Sequence, residues 1–401
     1  MEILIFLIPI VTAGILAFKF REKTALWEYA VVLVPSLLLF FALKYSFVYI
    51  SSLDKEYLSD LVSKITYYED WDETVMVTHT RTVSCGKGKT RTETYVVPER
   101  RYHPKRYVYE TVTGETNDVS EDEYKLICYK LNMPAVFKDM HRSYRSKDGD
   151  AYVTSWNRTR ENSYPVTWTH LYQNKVKASS YSIFKYGNMS EEEIKENKLF
   201  DYPEIKNNDQ NPILGFNATD TDIDAVRYLN GYRGPKNQIH VFILCFNNPS
   251  LEVAEMQKAY WQGGNKNEFV VCLGVKNNTV IWCNPFSWSD EPMLEVKTRD
   301  YFIKHPNINF KDYAEWLDTQ IDKNWHRKEF NDFNYLSIEL SIGWYIAILI
   351  IILCYNVGIS YWVITNEFTL DKPSGKYGRY YINILNINIV SMNKNIKQLM
   401  E

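Results

Sequence analysis

Apolar residues form unbroken runs at three places in the chain and recur at shorter periods elsewhere, and this contrast sets the expected architecture. The first run, "ILIFLIPIVTAGILAF", extends from Ile3 to Phe18, near the shortest helix that crosses a bilayer. A signal peptide would need a basic leading region, but Glu2 is acidic and a second apolar run follows almost at once. That second run covers Leu26 to Ile50 and is broken only by Glu28 and Lys44. The third spans about Ile342 to Ile364, with Trp344 and Trp362 near its ends as interfacial anchors. Each predicts a transmembrane helix.

Charge then orients them. The connection "KFREKTA" carries Lys19, Arg21 and Lys23 against Glu22, and the tail holds Lys372, Lys376, Arg379, Lys394 and Lys397. The positive-inside bias puts both in the cytoplasm, the N-terminus outside and everything from about Ser51 to Tyr335 beyond the membrane. Lys44 and Glu339 fall near the outer helix ends. They form a polar pair between the second and third helices, or each snorkels to the headgroups alone.

The region between the membrane segments changes period once. From about Ile65 to Asn188 it is mostly strand-like, "YVYETVTGE" and "SYPVTWTHLYQNKV" being the clearest runs. Short helices are expected after Ser120, with Glu123 completing a capping box, and after Ser190. Polar residues from Asn207 to Pro212 suggest a boundary. Beyond it, "QIHVFILCF" reads as a buried strand, the stretch from Asn248 to Trp261 as a capped helix stopped at Gly263-Gly264, and "FVVCLGV" and "TVIWC" as a hairpin turning at Asn277-Asn278. "FKDYAEWLDTQIDKNW" reads as an amphipathic helix. The expected fold is α+β: membrane helices in 1–50, a β-rich part in 51–205, a β-α-β-β-α sandwich in 206–335, a membrane helix in 336–365 and a cytoplasmic tail in 366–401.

Composition removes some functions. Of 401 residues, 46 are Lys or Arg and 49 Asp or Glu, a net charge of −3 that lacks the basic excess of a nucleic-acid binder. Aromatic content of 15% belongs to a folded chain. The stretch "VSCGKGKTRTETYVV" contains the Gly-Lys-Thr of a phosphate loop, but Val83 stands where that loop needs glycine and no helix-forming run follows. A β-hairpin through Gly-Lys-Gly accounts for it. His79, Cys85 and His103 match no zinc spacing; "DTDID" has Ala225 and Gly231 where a calcium loop needs glycine and the closing glutamate, and its acids and those of "YYEDWDE" read as solvated loop acids. No Gly-x-Ser-x-Gly elbow occurs, and His240 lies inside an apolar strand. No metal or cofactor is expected.

Two candidate constellations remain. With Asn277 and Asn278 as the loop residues, Cys272 falls opposite Cys283, within disulfide reach in an oxidising compartment. Two buried thiols are the alternative, and a register shift of one residue would separate them. The concentrated polar set, Gln257, Trp261, Asn265, Asn267 and Glu268, gathers around a helix end and a strand start, where it forms a binding site or a polar loop after a helix stop.

"YYEDWDE", Gly149-Asp150 before Trp156, "AYWQGGNKNEFVVCLGV" and "FSW" resemble a group of integral membrane proteins encoded by tailed phages and some bacteria. The resemblance covers most of Leu58 to about Asp300, is most specific over Ala259 to Gly274, and implies a phage or bacterial setting without implying an activity; the expected location is a bacterial host's inner membrane. The order of elements around Gly263-Gly264 is similar, more weakly, to TPM-type domains of membrane-anchored bacterial proteins. Two functions follow as expectations: a non-enzymatic binding or envelope-modifying protein whose partners are the bilayer and an outer ligand or envelope protein, or a membrane-tethered hydrolase using Trp261 to Glu268.

Overall fold

A computed structural model of the protein describes residues 1–20, 24, 26–84, 90–140, 147–155, 164–179, 186–187, 189–206, 208–289, 291–329 and 335–366. Arg21, Glu22 and Lys23, the Gly-Lys-Gly turn with Cys85, Trp156 and the tail from residue 367 lie outside the described residues. The chain divides into two compact units, residues 1–52 with 338–401, and residues 53–337. Helices α1 (Glu2–Lys19) and α2 (Leu26–Ser52) open the first unit, which the last helix completes.

The second unit is built around β1 (Leu53–Tyr68), a strand of 16 residues used twice. Its first half pairs antiparallel with β8 (Pro165–Gln173), from Leu53 opposite Gln173 to Leu61 opposite Pro165. Its second half lies between β4 (Arg106–Thr111) and β7 (Ala151–Ser155), with β5 (Thr116–Val119) and β6 (Val136–Lys138) outside them. A register shift at Ser63 separates the two uses, and the Ser63 hydroxyl donates to the carbonyls of Glu110 and Thr111 at 3.0 Å each. Helix α3 (Glu121–Leu131) packs Ile127 and Leu131 onto Val62, Ile65 and Tyr109. Ser120 caps α3 as expected, accepting from the Glu123 amide at 3.2 Å. Glu123 itself is buried, and desolvation pushes its carboxyl up to about 7 against a hydrogen bond from Asn208.

Strands β2 (Trp71–Ser84) and β3 (Thr90–His103) form a separate two-stranded ribbon, paired without a register shift from Trp71 opposite His103 to Ser84 opposite Thr90. Thr90 to Val97 is therefore strand, where a phosphate loop would need helix.

After α4 (Lys175–Ala178) and α5 (Glu191–Glu196), which carries a complete Ser190–Glu193 capping box, the chain builds a four-stranded sheet. Strands β9 (Ile213–Leu214), β10 (His240–Phe246) and β11 (Glu268–Lys276) are parallel, and β12 (Thr279–Ser287) is antiparallel to β11. One face packs against α6 (Asp220–Asn237), α8 (Pro292–Lys304) and α9 (Phe310–Asn324), and the other against α7 (Glu252–Tyr260). The acids of "DTDID" open α6, where Asp222 closes a capping box with Thr219. Helix α6 reaches β1 by two glycines. A Cβ on Gly234 would lie 2.3 Å from the Ser59 carbonyl oxygen, and one on Gly231 would lie 2.8 Å from the Leu61 side chain.

The expected Cys272–Cys283 bridge is absent, and the register says why. Asn277 and Asn278 do make the turn, with φ of 50° and 62°. A shift between Gly274 and Val275 then inserts Ile281 into β12, so Cys272 faces Asn284 and Cys283 faces Leu273. Cys272 joins the core under α7, whereas Cys283 packs on the opposite face of the sheet, and both are free thiols. The Trp282 indole lies where a Gly274 Cβ would stand and donates to the Asn248 carbonyl at 2.8 Å.

Helix α10 (Ile342–Asn366) completes the first unit. The described residues contain three helices long and apolar enough to cross a membrane: Glu2–Lys19, Trp27–Ser52 and Ile342–Thr365. Lys44 does not pair with Glu339. Its ammonium lies 2.7 Å from Glu2 of α1, and the same carboxylate oxygen accepts from Tyr345 of α10 at 2.8 Å, so the start of α1 offers a nearer acid that all three helices share. Deeper in the bundle, Pro35 removes the amide that would serve the Val31 carbonyl, and the Tyr355 hydroxyl of α10 donates to that carbonyl at 3.2 Å. The next residue of α10, Asn356, donates to Ser36 at 3.0 Å.

These contacts predict that Tyr355→Phe weakens the helix bundle by about 1 kcal/mol, the usual scale for a hydrogen bond between membrane helices. Pro35→Ala should shrink that loss, because the helix then serves Val31 itself. Unfolding in mixed micelles checks the cycle; equal losses in both backgrounds would refute it.

Candidate functional site

Helix α7 follows β10 and runs back beside it, so its C-terminus arrives at the amino ends of β10 and β11, where His240 pairs with Glu268. The polar set is therefore at the amino edge of the parallel strands, whereas the ligand crevice of open α/β sheets lies at their carboxyl ends. Helix α7 ends in a Schellman motif: Gly263 N–H donates to Lys258 O at 2.8 Å and Gln262 N–H to Ala259 O at 3.0 Å. Gln262 takes the left-handed position at φ 55°, followed by Gly263 and Gly264 at 81° each. This turn brings the next residues back under the sheet.

The five residues separate into three groups, all buried. Gln257 and Trp261 dock residue 200: Gln257 accepts from the Phe200 amide at 2.8 Å and donates to its carbonyl at 3.0 Å, and the Trp261 indole donates to the same carbonyl at 2.8 Å. Asn265 and Glu268 form the second group. One Glu268 oxygen accepts from the Asn265 amide N–H at 2.8 Å; the other accepts from Asn265 Nδ2 at 2.8 Å and from the Tyr202 hydroxyl. Burial raises the Glu268 pKa while those hydrogen bonds and Lys177 oppose the rise, and burial with the Glu268 charge keeps Tyr202 a neutral donor. Asn267 faces elsewhere, donating to the Tyr57 carbonyl of β1 at 2.6 Å. Its Oδ1 is buried without a hydrogen-bond partner among the described residues.

Around these stand residues that no local pattern marks. Asn265 Oδ1 accepts from Lys177 Nζ and from the Tyr172 hydroxyl, both at 3.2 Å, and Lys177 reaches Asp54 at 3.0 Å. Two residues along β1, Glu56 is 1% exposed and meets Arg327 through both oxygens at 3.2 and 3.3 Å and His170 Nδ1 at 2.9 Å. Lys266 lies 3.7 Å from Glu56 and 4.4 Å from the centre of the Tyr172 ring. Asp54, Glu56, Tyr172 and His170 come from paired positions of β1 and β8, and a strand reading of "LDKEYLSD" would have placed both acids on one face.

His240, fully buried, is also saturated. Its Nε2–H donates to Gln210 at 3.1 Å and its Nδ1 accepts from Ser59 at 3.0 Å, and burial holds its pKa down at about 3. The arrangement is a polar joint between β1 and the four-stranded sheet. Neither Glu268 nor His240 presents a base to a reactant, because each hydrogen-bonding position described is taken within the fold. No protein-family model matches the chain, and no curated protein or solved structure is significantly similar to it.

Glu268→Ala should strip three buried donors of their acceptor and cost about 3 kcal/mol of unfolding free energy, with Glu268→Gln costing less. Denaturant titration measures both, and a loss within experimental error would contradict the joint. His240 gives a pH dependence of known sign. Its folded pKa of about 3 lies below the ordinary 6.5, so its stabilisation is complete above 6.5 and is lost as pH falls toward 3. The slope is at most about 1.4 kcal/mol per pH unit. His240→Gln should flatten that part of the profile; an unchanged slope would refute the assignment.

Proposed function

We propose that the chain is an integral membrane protein whose 53–337 unit stands outside the cytoplasm and acts by binding, without catalysis, at a bacterial envelope. The observation that carries the reading is the enclosure of Glu268: the one acid of the polar set is 1% exposed and both its oxygens are engaged. The meeting of Glu2, Lys44 and Tyr345 supports one-sided display, since it joins the start of α1, the last third of α2 and the start of α10, the two sites where the chain leaves and rejoins the bundle. Lys19 stands at the other end of α1, and the basic excess of the 19–23 sequence favours the cytoplasm for that end. The resemblance over Ala259 to Gly274 supports a phage or bacterial setting. Here the four-stranded sheet with helices on both faces is read as an α/β sandwich that acts as a support.

The contact element is the β2–β3 ribbon. Fourteen residues per strand make it about 46 Å long at ~3.3 Å per residue. On one face the side chains pair with one another: Trp71 stacks on His103, His103 meets Glu73 at 2.9 Å, and His79 meets Glu99 at 3.0 Å. The other is open and uncharged along most of its length, with Thr78, Thr80 and Thr82 beside Thr92, Thr94 and the half-exposed Val96.

In a Cys85→Ser, Cys354→Ser background, Thr80→Cys should react with a membrane-impermeant maleimide on intact cells. Reaction only after permeabilisation would remove the extracytoplasmic placement. Turnover of any ester, phosphoester or glycan that is lost on Asn267→Ala or Glu268→Ala would make the protein an enzyme instead.

A further inference from the structure

The two edges of the ribbon are not equivalent, and Pro98 shows how. It stands opposite Met76 in a ladder without register shifts, and it has no N–H to give. In an antiparallel ladder only a non-hydrogen-bonded pair tolerates proline, so the Pro98 nitrogen faces the outer edge of β3 and interrupts it. Met76, in the same pair, turns its own N–H and C=O to the outer edge of β2. By alternation so do Asp72, Thr74, Thr78, Thr80 and Thr82. From Asp72 to Thr82 this edge contains neither proline nor lysine, the residues that commonly blunt exposed edges, and among the described residues it pairs with no other strand. A two-stranded ribbon of this length gains most from a third and fourth strand.

The sequence of β2 fits a second copy of itself. We infer that two chains pair edge to edge through β2, antiparallel about Val77, to make a four-stranded sheet; this rests on the reading of the ribbon as the contact element. In that register Glu73 of each copy faces Arg81 of the other, Thr74 faces Thr80, Met76 faces Thr78, and Val77 faces Val77. Every outward-turned residue meets an outward-turned residue, so the hydrogen-bonded pairs alternate correctly, and no like charges oppose. Pairing through β3 would set the Pro98 gap within the new ladder.

Val77 meets its own copy in a non-hydrogen-bonded pair, where Cα atoms lie roughly 4.5 Å apart, within the range of a disulfide. The full-length protein in its membrane, with Cys85→Ser and Cys354→Ser, carries either Val77→Cys or Val97→Cys, the latter at the same height on β3. Mild oxidation should link the Val77→Cys chains into dimers and leave Val97→Cys monomeric. Adding Arg81→Glu to Val77→Cys should lower the yield about five-fold, and adding Glu73→Arg as well should restore it. Failure of Val77→Cys to cross-link, equal linking through Val97→Cys, or loss by Arg81→Glu without restoration by the charge swap would overturn the self-pairing. Cross-linking does not depend on which side of the membrane the ribbon occupies, so its failure with maleimide labelling intact removes the dimer and leaves the proposed function standing.

Discussion

The backbone contact between α6 and β1 is the constraint on which the second unit turns. A helix carrying side chains at positions 231 and 234 could not come within a Cβ radius of the Ser59 carbonyl, and the sheet containing β8 and the sheet containing β10 would be held apart. Each glycine inside a helix costs about 1 kcal/mol relative to alanine. The approach offsets that cost by letting α6 cover both β1 and the β10 face, where Val226 and Leu229 enter the core. It also brings His240 to Ser59 and Asn267 to the Tyr57 carbonyl, the contacts that make 53–337 one unit.

Closing that contact traps charge. Glu56 and Glu268 both end inside, and isolated carboxylates there would be strongly destabilising. The fold answers each with donors: Arg327, Lys266 and His170 from distant parts of the chain for Glu56, and distant Tyr202 with nearby Asn265 for Glu268. Such a joint adds more to specificity of packing than to stability, because desolvation takes back much of what the ion pairs contribute. The same logic runs through the helices, where Tyr355 serves a carbonyl that Pro35 orphaned.

A joint of this kind and an exposed ribbon imply different uses. The side chains of the polar set make their hydrogen bonds within the fold, to one another and to the backbone of Tyr57 and Phe200, apart from Asn267 Oδ1. The ribbon spends most of its charged side chains on one another across one face, with Asp72 and Arg100 pairing near one end of the other, and it leaves the threonines from Thr78 to Thr82 and the β2 edge to solvent. Under the proposed reading, the open backbone edge of the ribbon would serve recognition by strand addition.

Length and hydrophobic period alone were enough for the three apolar helices, the β10 and β11 strands, the β2–β3 hairpin and the Asn277-Asn278 turn, because each depends on interactions within a few residues or on uniform surroundings. Helix α6 was not legible: two glycines and Pro235 weaken its local signal, and only β1 explains them. The polar set was legible as residues but not as a site, since its partners Tyr202, Tyr172, Lys177 and Tyr57 lie 63 to 210 positions away from the residues they meet and on no shared motif. The disulfide failed on a single inserted residue, Ile281, placed by the packing of Trp282 on Gly274. The Lys44 partner was an acid in a different helix. Sequence by itself determined where apolar and polar matter lie along the chain; tertiary structure decided which buried charge meets which donor, because desolvation acts on neighbours in space and leaves no period in the chain.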